Sequence, residues 1–207
     1  MKKLFLLLIP CSMLLASCGG TKVIDVEDKS AVAGMTNVME LEYRDWERTA
    51  DRMVDSMVKS GAFKQVKNPV IAVGRVTNDT MQRFDTDILV KKIRNDLVNS
   101  GRAQVSTAMR NGSVAEDEMT HNVRAQRGNA EFEASTIAAQ GTLVAPNLSL
   151  TGKMLQRNFH VQTCWLCSHK ERVEYYLQLT LTDIKTGLSV WEDEQPIIKE
   201  GRNAPRW

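Results

Sequence analysis

The chain has 207 residues, 43% of them hydrophobic and 25% charged, with 27 Lys and Arg against 25 Asp and Glu. These are ordinary globular proportions, and a near-neutral balance gives no footprint of nucleic acid, which needs a clustered basic face. No Gly-rich phosphate loop, His-Glu-x-x-His pair or nucleophile-elbow serine occurs. Catalysis and a cofactor are therefore not expected.

The N-terminus reads as a targeting segment. Lys2 and Lys3 precede an apolar run from Leu4 to Leu15 that is too short for a membrane-spanning helix. Small residues at Ala16 and Ser17 suit a signal peptidase, and Cys18 follows. Leu15-Ala16-Ser17-Cys18 resembles the lipobox of bacterial lipoproteins, which implies removal of residues 1–17 and acylation of Cys18. An ordinary secretory signal with a cysteine after its cleavage site is the alternative. Processing removes Lys2 and Lys3 and no acid, so 27 basic residues become 25, level with the 25 acids. The mature chain, from residue 18, has room for one domain with a core. No later apolar run approaches spanning length, which leaves the lipid as the expected anchor.

Residues 18–40 read as a lipid-anchored tether and residues 41–207 as the domain. Small, charged and apolar residues alternate over 19–40 without a clear period, although residues 35–43 could be ordered against the domain. As a flexible coil this stretch spans about 26 Å, and at most about 75 Å when extended.

Trp46, Ala50, Met53, Val54 and Met57 fall on one face of a helix over 45–60. Asp45 is the expected N-cap, and Ser60-Gly61 the stop. Val70-Ile71-Ala72-Val73 reads as a buried strand. Asn78-Asp79 marks a turn. Asp85 then caps a second helix over 86–99 with the stripe Ile88, Leu89, Ile93 and Leu97. That helix ends in Ser100-Gly101 before a strand at Gln104-Val105-Ser106. Helices often end in Ser-Gly, and that explains the likeness of the two units better than duplication.

Residues 113–141 read as helix in two pieces. Ser113 caps the first, through about 127, and Glu116, Asp117 and Glu118 suit its N-terminal dipole. Gly128-Asn129 breaks it, and 130–140 resumes with Phe132, Ile137 and Ala138. The first piece has a thin apolar face and reads as a solvated helix, or else as one awaiting a partner. A strand then runs from Leu148 to about Val161. Val173, Tyr175, Leu177, Leu179 and Leu181 alternate with Glu174, Tyr176, Gln178, Thr180 and Thr182, a strand with one face buried. Asp183–Gly187 is a hairpin turn. The last strand, Leu188 to about Lys199, contains Pro196 and therefore belongs at an edge.

Two longer stretches carry a resemblance. Tyr43-Arg44-Asp45-Trp46-Glu47-Arg48-Thr49-Ala50-Asp51-Arg52-Met53-Val54 and Leu179-Thr180-Leu181-Thr182-Asp183-Ile184-Lys185-Thr186-Gly187-Leu188-Ser189-Val190-Trp191 resemble the LpoB family of penicillin-binding-protein activator lipoproteins. The helix, Ser-Gly-Arg and strand of Leu97–Val105 and the run Leu150-Thr151-Gly152-Lys153 fit the same pattern. The resemblance covers roughly 40–200, in order, behind the lipobox. It implies a single α+β domain, with about four mainly antiparallel strands in a mixed sheet flanked by helices, akin to the N-terminal domain of TolB. It also implies an outer-membrane lipoprotein facing the periplasm, with no catalysis of its own. Its partner would be a bifunctional class A penicillin-binding protein, a peptidoglycan synthase whose activity the docked lipoprotein stimulates. Gly19, with no aspartate after the lipidated cysteine, agrees with the outer membrane. The chain departs from the enterobacterial pattern in its short, proline-free tether and in Cys164-Trp165-Leu166-Cys167. A structural or secretion lipoprotein of the curli-export kind is the alternative function, but the strands lack the lipid-facing alternation and aromatic girdles of membrane hairpins.

Cys164-x-x-Cys167, with His160 and His169 nearby, is the one cluster with possible chemistry. A redox pair is expected at a helix start, and this one lies between strands. The histidine spacing is a poor match to zinc sites. The favoured reading is a disulfide closing the turn of a long hairpin and presenting Trp165 and Leu166 at its tip, with free thiols as the remaining alternative. So short a loop constrains little chain entropy.

Overall fold

The computed structural model describes residues 39–111, 114–115, 117–161 and 170–201, within one compact unit, Asn37–Trp207. In chain order the elements are α1 (Tyr43–Ser60), a 3-10 turn (Ala62–Gln65), β1 (Val70–Asp79), α2 (Asp87–Asn99) and β2 (Gln104–Val105). They continue with β3 (Arg110–Asn111), β4 (Val114–Ala115), α3 (Met119–Ala125), a second 3-10 turn (Ala134–Thr136), β5 (Leu148–Val161), β6 (Lys170–Asp183) and β7 (Ser189–Gly201).

The expected stripe of α1 is all buried. Its start differs in detail. Glu42, not Asp45, occupies the N-cap, and Asp45 sits in the first turn accepting the Glu42 N–H at 2.9 Å. A carboxylate three residues into the helix satisfies the backbone of the cap and also favours the positive end of the dipole. Both helices end through the same local chemistry. Ser60 and Ser100 donate their hydroxyls to the carbonyls of Met57 and Leu97 at 2.7 and 2.6 Å. Each hydroxyl accepts an N–H two residues on, and Gly61 and Gly101 follow with φ of 77° and 64°. The shared Ser-Gly is thus a helix terminator, which needs no duplication to explain it.

In α2 the buried stripe is Leu89, Ile93 and Leu97, and Ile88 is 58% exposed. A straight i, i+4, i+8 row faces the core, and Ile88 lies a third of a turn away on the flank. Its place in the expected stripe is corrected accordingly. Thr86, not Asp85, occupies the N-cap, and Asp85 accepts the Asp87 N–H at 2.9 Å from one residue before it.

The sheet runs β2-β1-β5-β6-β7. β1 pairs in parallel with β2 and with β5, whereas β5–β6 and β6–β7 are antiparallel. Four strands are long and the fifth, β2, is a two-residue edge. One sheet face carries Ile71, Val76, Leu148, Leu150, Met154, Val173, Tyr175, Leu177, Leu179, Leu181 and Trp191, which join the helix stripes in one core cluster. α1 lies against α2 and β7, and α2 against β1 and β2. Trp46 and Phe84 meet with ring centroids 4.6 Å apart.

Gly152 in β5 points to this face between Val76 and Leu179. A Cβ there would stand 2.4 Å from Leu179 Cδ2 and 2.6 Å from the Gln178 carbonyl oxygen. Only glycine lets the strands meet at that point, beside the irregularity in β1 between Val73 and Val76. Pro196 lies on β7, an edge strand, the position at which a sheet tolerates proline.

The segment 113–141 departs from expectation. Among the described residues α-helix forms only over Met119–Ala125, and 130–140 contains no α-helix, only the 3-10 turn at Ala134–Thr136. Phe132 is 51% exposed, so the apolar residues there find no core to bury against, and burial is what stabilises short helices. Ser113 and Glu116 lie outside the described residues.

Candidate partner-binding surface

Two surfaces follow from this architecture. The first is the sheet face opposite the helices. Register places Thr77, Lys153, Gln178 and Glu194 in one row, then Asp79, Leu155, Tyr176 and Pro196. Arg157, Glu174 and Ile198 follow, then Phe159, Arg172 and Glu200. Beyond Leu155, β1 ends and the three antiparallel strands continue as a ribbon.

Polar groups on this face pair across strands. Lys153 meets Asp79 at 2.6 Å, Gln178 donates to Glu194 at 2.7 Å and Arg172 meets Glu200 at 3.0 Å. The Tyr176 hydroxyl donates to Glu174, which raises its ionisation above the ordinary tyrosine value. Arg157 sits 5.1 Å from the Phe159 ring centroid. The first three are cross-strand pairs, which hold a sheet face in shape; the last two lie within β6 and within β5. Tyrosine and arginine are also among the residues enriched at interface hot spots.

The second surface is the long excursion between β2 and β5. None of its described side chains from Gln104 to Asn147 is buried. Its fastening is side chain to backbone. Arg127 donates to the carbonyls of Ala138 and Ala139 at 2.7 and 3.1 Å, and Arg124 to the Thr142 hydroxyl at 2.9 Å. His121 Nε2 donates to the Ala108 carbonyl at 2.7 Å. Met109, Met119, Val123, Phe132, Leu143 and Val144 are exposed along it. At its end Asn147 clasps the start of β1, accepting the Val70 N–H at 2.9 Å and donating to the Asn68 carbonyl at 3.0 Å.

Cys18, Cys164, Trp165, Leu166, Cys167 and His169, singled out from the sequence, lie outside the described residues. The strands that flank the cysteines are described. β5 and β6 stay in register to the last pair, Val161 with Lys170, and His160 Nδ1 lies 3.7 Å from Glu171 Oε1 on the adjoining rung. Among the described residues no group of three or more His, Cys, Asp or Glu is placed to hold a metal, and no helix is long and apolar enough to cross a membrane.

Sequence reasoning left open that residues 35–43 are ordered against the domain, but it named none of the side chains that fasten Met39–Glu42. Tyr175, Gln82 and Lys199 hold that stretch. The alternation of Met39 and Leu41 was its only local signal, and it is too short to show a period. The arginine bonds of the excursion had no signal at all.

The sequence model of the family described as "Peptidoglycan-synthase activator LpoB" matches residues 45–197. The LpoB C-terminal domain from Salmonella enterica is similar at 15% identity and a TM-score of 0.44, over 74% of this chain and 98% of that one. The same domain from Escherichia coli gives 15% and 0.42, with coverage of 74% and 98%. The NMR structure of E. coli LpoB gives 14% and 0.40, over 92% of this chain and 87% of that one. None of the curated proteins matches.

Proposed function

This chain belongs to the LpoB family of peptidoglycan-synthase activators, and we propose that it is a lipid-anchored regulator of a class A penicillin-binding protein. Acylated at Cys18, it is held at the outer membrane and faces the periplasm. Its domain, residues 41–207 with the packed strap before α1, binds the synthase and stimulates glycan polymerisation and cross-linking. The observation that carries this reading is the family match over 45–197, which begins inside α1 and ends in β7. The lipobox ahead of it supports the anchor, and the Cys164–Cys167 pair, as a disulfide, would hold Trp165 and Leu166 at a fixed contact tip.

The mechanism is a population shift. A domain with one continuous core is a rigid body, and a rigid body can favour one conformation of its partner over another. Stimulation then cannot exceed the ratio of its affinities for the active and resting synthase.

The test is glycan polymerisation by the organism's own class A synthases, with and without residues 19–207 as soluble protein. Saturable stimulation of one synthase, with binding to it, is the expected result. No binding and no stimulation of any of them would end the reading.

A further inference from the structure

Met39–Glu42 belongs to no helix or strand, yet Met39 is 1% and Leu41 6% exposed, and both join the core cluster. Three side chains from three separate elements grip its backbone. Tyr175 on β6 donates its hydroxyl to the Met39 carbonyl at 2.9 Å. Gln82, in the β1–α2 loop, accepts the Leu41 N–H at 2.9 Å and donates to the Leu41 carbonyl at 3.3 Å. One glutamine thus satisfies both backbone groups of one residue, as a neighbouring strand would. Lys199 on β7 donates to the Glu40 carbonyl, and its ammonium lies 2.5 Å from Asp45 on α1. Those two side chains are only 11% and 18% exposed, so water screens the pair poorly.

These contacts share a design. Gln82, Tyr175 and Lys199 bind main-chain atoms, so they specify the path of the strap more than its sequence. Tyr175 is buried, and that burial, with the negative charges of Glu40 and Asp45, holds its hydroxyl protonated far above the ordinary range. It remains a donor at any physiological pH. Met39 and Leu41 supply the apolar burial that orders the stretch.

We propose that Met39–Glu42 is a latch that docks the membrane tether on the domain, with Tyr175, Gln82 and Lys199 as its receptor. The inference rests on the lipid-tether reading above. Tension along the tether reaches the strap first and must strip these bonds and expose Met39 and Leu41 before it loads α1. Release frees four residues and lengthens the tether by on the order of 10 Å without unfolding the sheet. Reach towards the synthase is therefore set in two steps, latched and unlatched, which matters for a chain with a short tether.

Hydrogen exchange on the mature chain, residues 18–207 without acylation, tests the receptor. The Leu41 amide is expected to be protected, and Gln82→Ala to speed its exchange at least tenfold while the central amides of α1 are unchanged. An unprotected Leu41 amide in the unaltered chain, or an equal loss of protection throughout α1 in Gln82→Ala, would overturn the latch. Pulling the same chain between residues 18 and 207 reads the mechanical role. A short extension before the main unfolding event is expected, and it should vanish in Gln82→Ala combined with Tyr175→Phe. A chain that opens only in the main event would overturn it. The soluble polymerisation assay uses residues 19–207 without a lipid anchor, so no tension acts on the strap and the fate of the activator reading is decided separately.

Discussion

Met39–Glu42 and the excursion between β2 and β5 both run mostly outside regular structure, and they are held in opposite ways. The strap buries two apolar side chains and is gripped by residues from β6, β7 and the β1–α2 loop. The excursion has no buried described side chain, and Arg124, Arg127 and His121 bind carbonyls and a hydroxyl within the excursion itself. A segment fastened to the core must break those contacts and expose its apolar side chains to open, whereas one fastened to itself opens at the smaller cost of its own bonds. Regular structure is thus a poor guide to which parts of this domain are firm. An excursion that opens cheaply and exposes Phe132, Met119 and Val123 has the properties of a surface that a partner orders.

The widest separation between the two regimes should come from truncating equivalent apolar side chains. Met53 on α1 is fully buried, and Met53→Ala should cost about 2–5 kcal/mol. Phe132→Ala should stay within about 0.5 kcal/mol, measured by urea unfolding of both. A cost above about 2 kcal/mol at Phe132 would show that the excursion is packed after all.

Gly152→Ala asks whether the core yields as the excursion would. The backbone carbonyl of Gln178 cannot swing aside from a new methyl 2.6 Å away, so the strands must part. A loss of about 1–3 kcal/mol is expected, and an unchanged midpoint would show a sheet softer than its register suggests.

The grip on the strap carries a pH signature. Burial first, then Glu40 and Asp45, raise the Tyr175 pKa in the folded chain from its ordinary 10.0. The folded state therefore keeps a proton that the unfolded state has lost above that pH. Stability from this group is intact below pH 10 and falls as pH rises further, by about 1.4 kcal/mol per unit. Stability measured from pH 9 to 11 should fall less steeply in Tyr175→Phe, and parallel curves would refute the assignment.

The smallest effect is expected at Arg127→Ala. Its two bonds to Ala138 and Ala139 lie on the exposed excursion, so the unfolding midpoint should move little. Proteolysis between Gly128 and Asn147 should nevertheless quicken several-fold. A shift of the midpoint without faster cleavage would join the excursion to the core.

Period and punctuation made much of this legible. The period-two run from Val173 to Leu181 is β6 with its odd-numbered face buried, and Trp46 to Met57 is the buried stripe of α1. Ser60-Gly61 and Ser100-Gly101 end their helices as their residue types require. The same reasoning failed over 130–140, where helix-compatible residues had no surface to pack on, and at Ile88, whose neighbours already filled the core-facing row. Of the candidate site, the lipobox and the cysteine pair were legible as motifs, while the cross-strand rows of the open sheet face were not.

The sequence by itself determined which segments are helix and strand in the core, where they stop, and the family to which the order of those segments points. Local periodicity and capping are set by near neighbours, so one chain read in order contains them. Only the tertiary structure decided that β5 runs parallel to β1, that Gly152 lies under Leu179, and that Gln82, Tyr175 and Lys199 converge on Met39–Glu42. Those contacts join residues far apart in the chain, and no local pattern records which of many compatible partners will meet once the core closes.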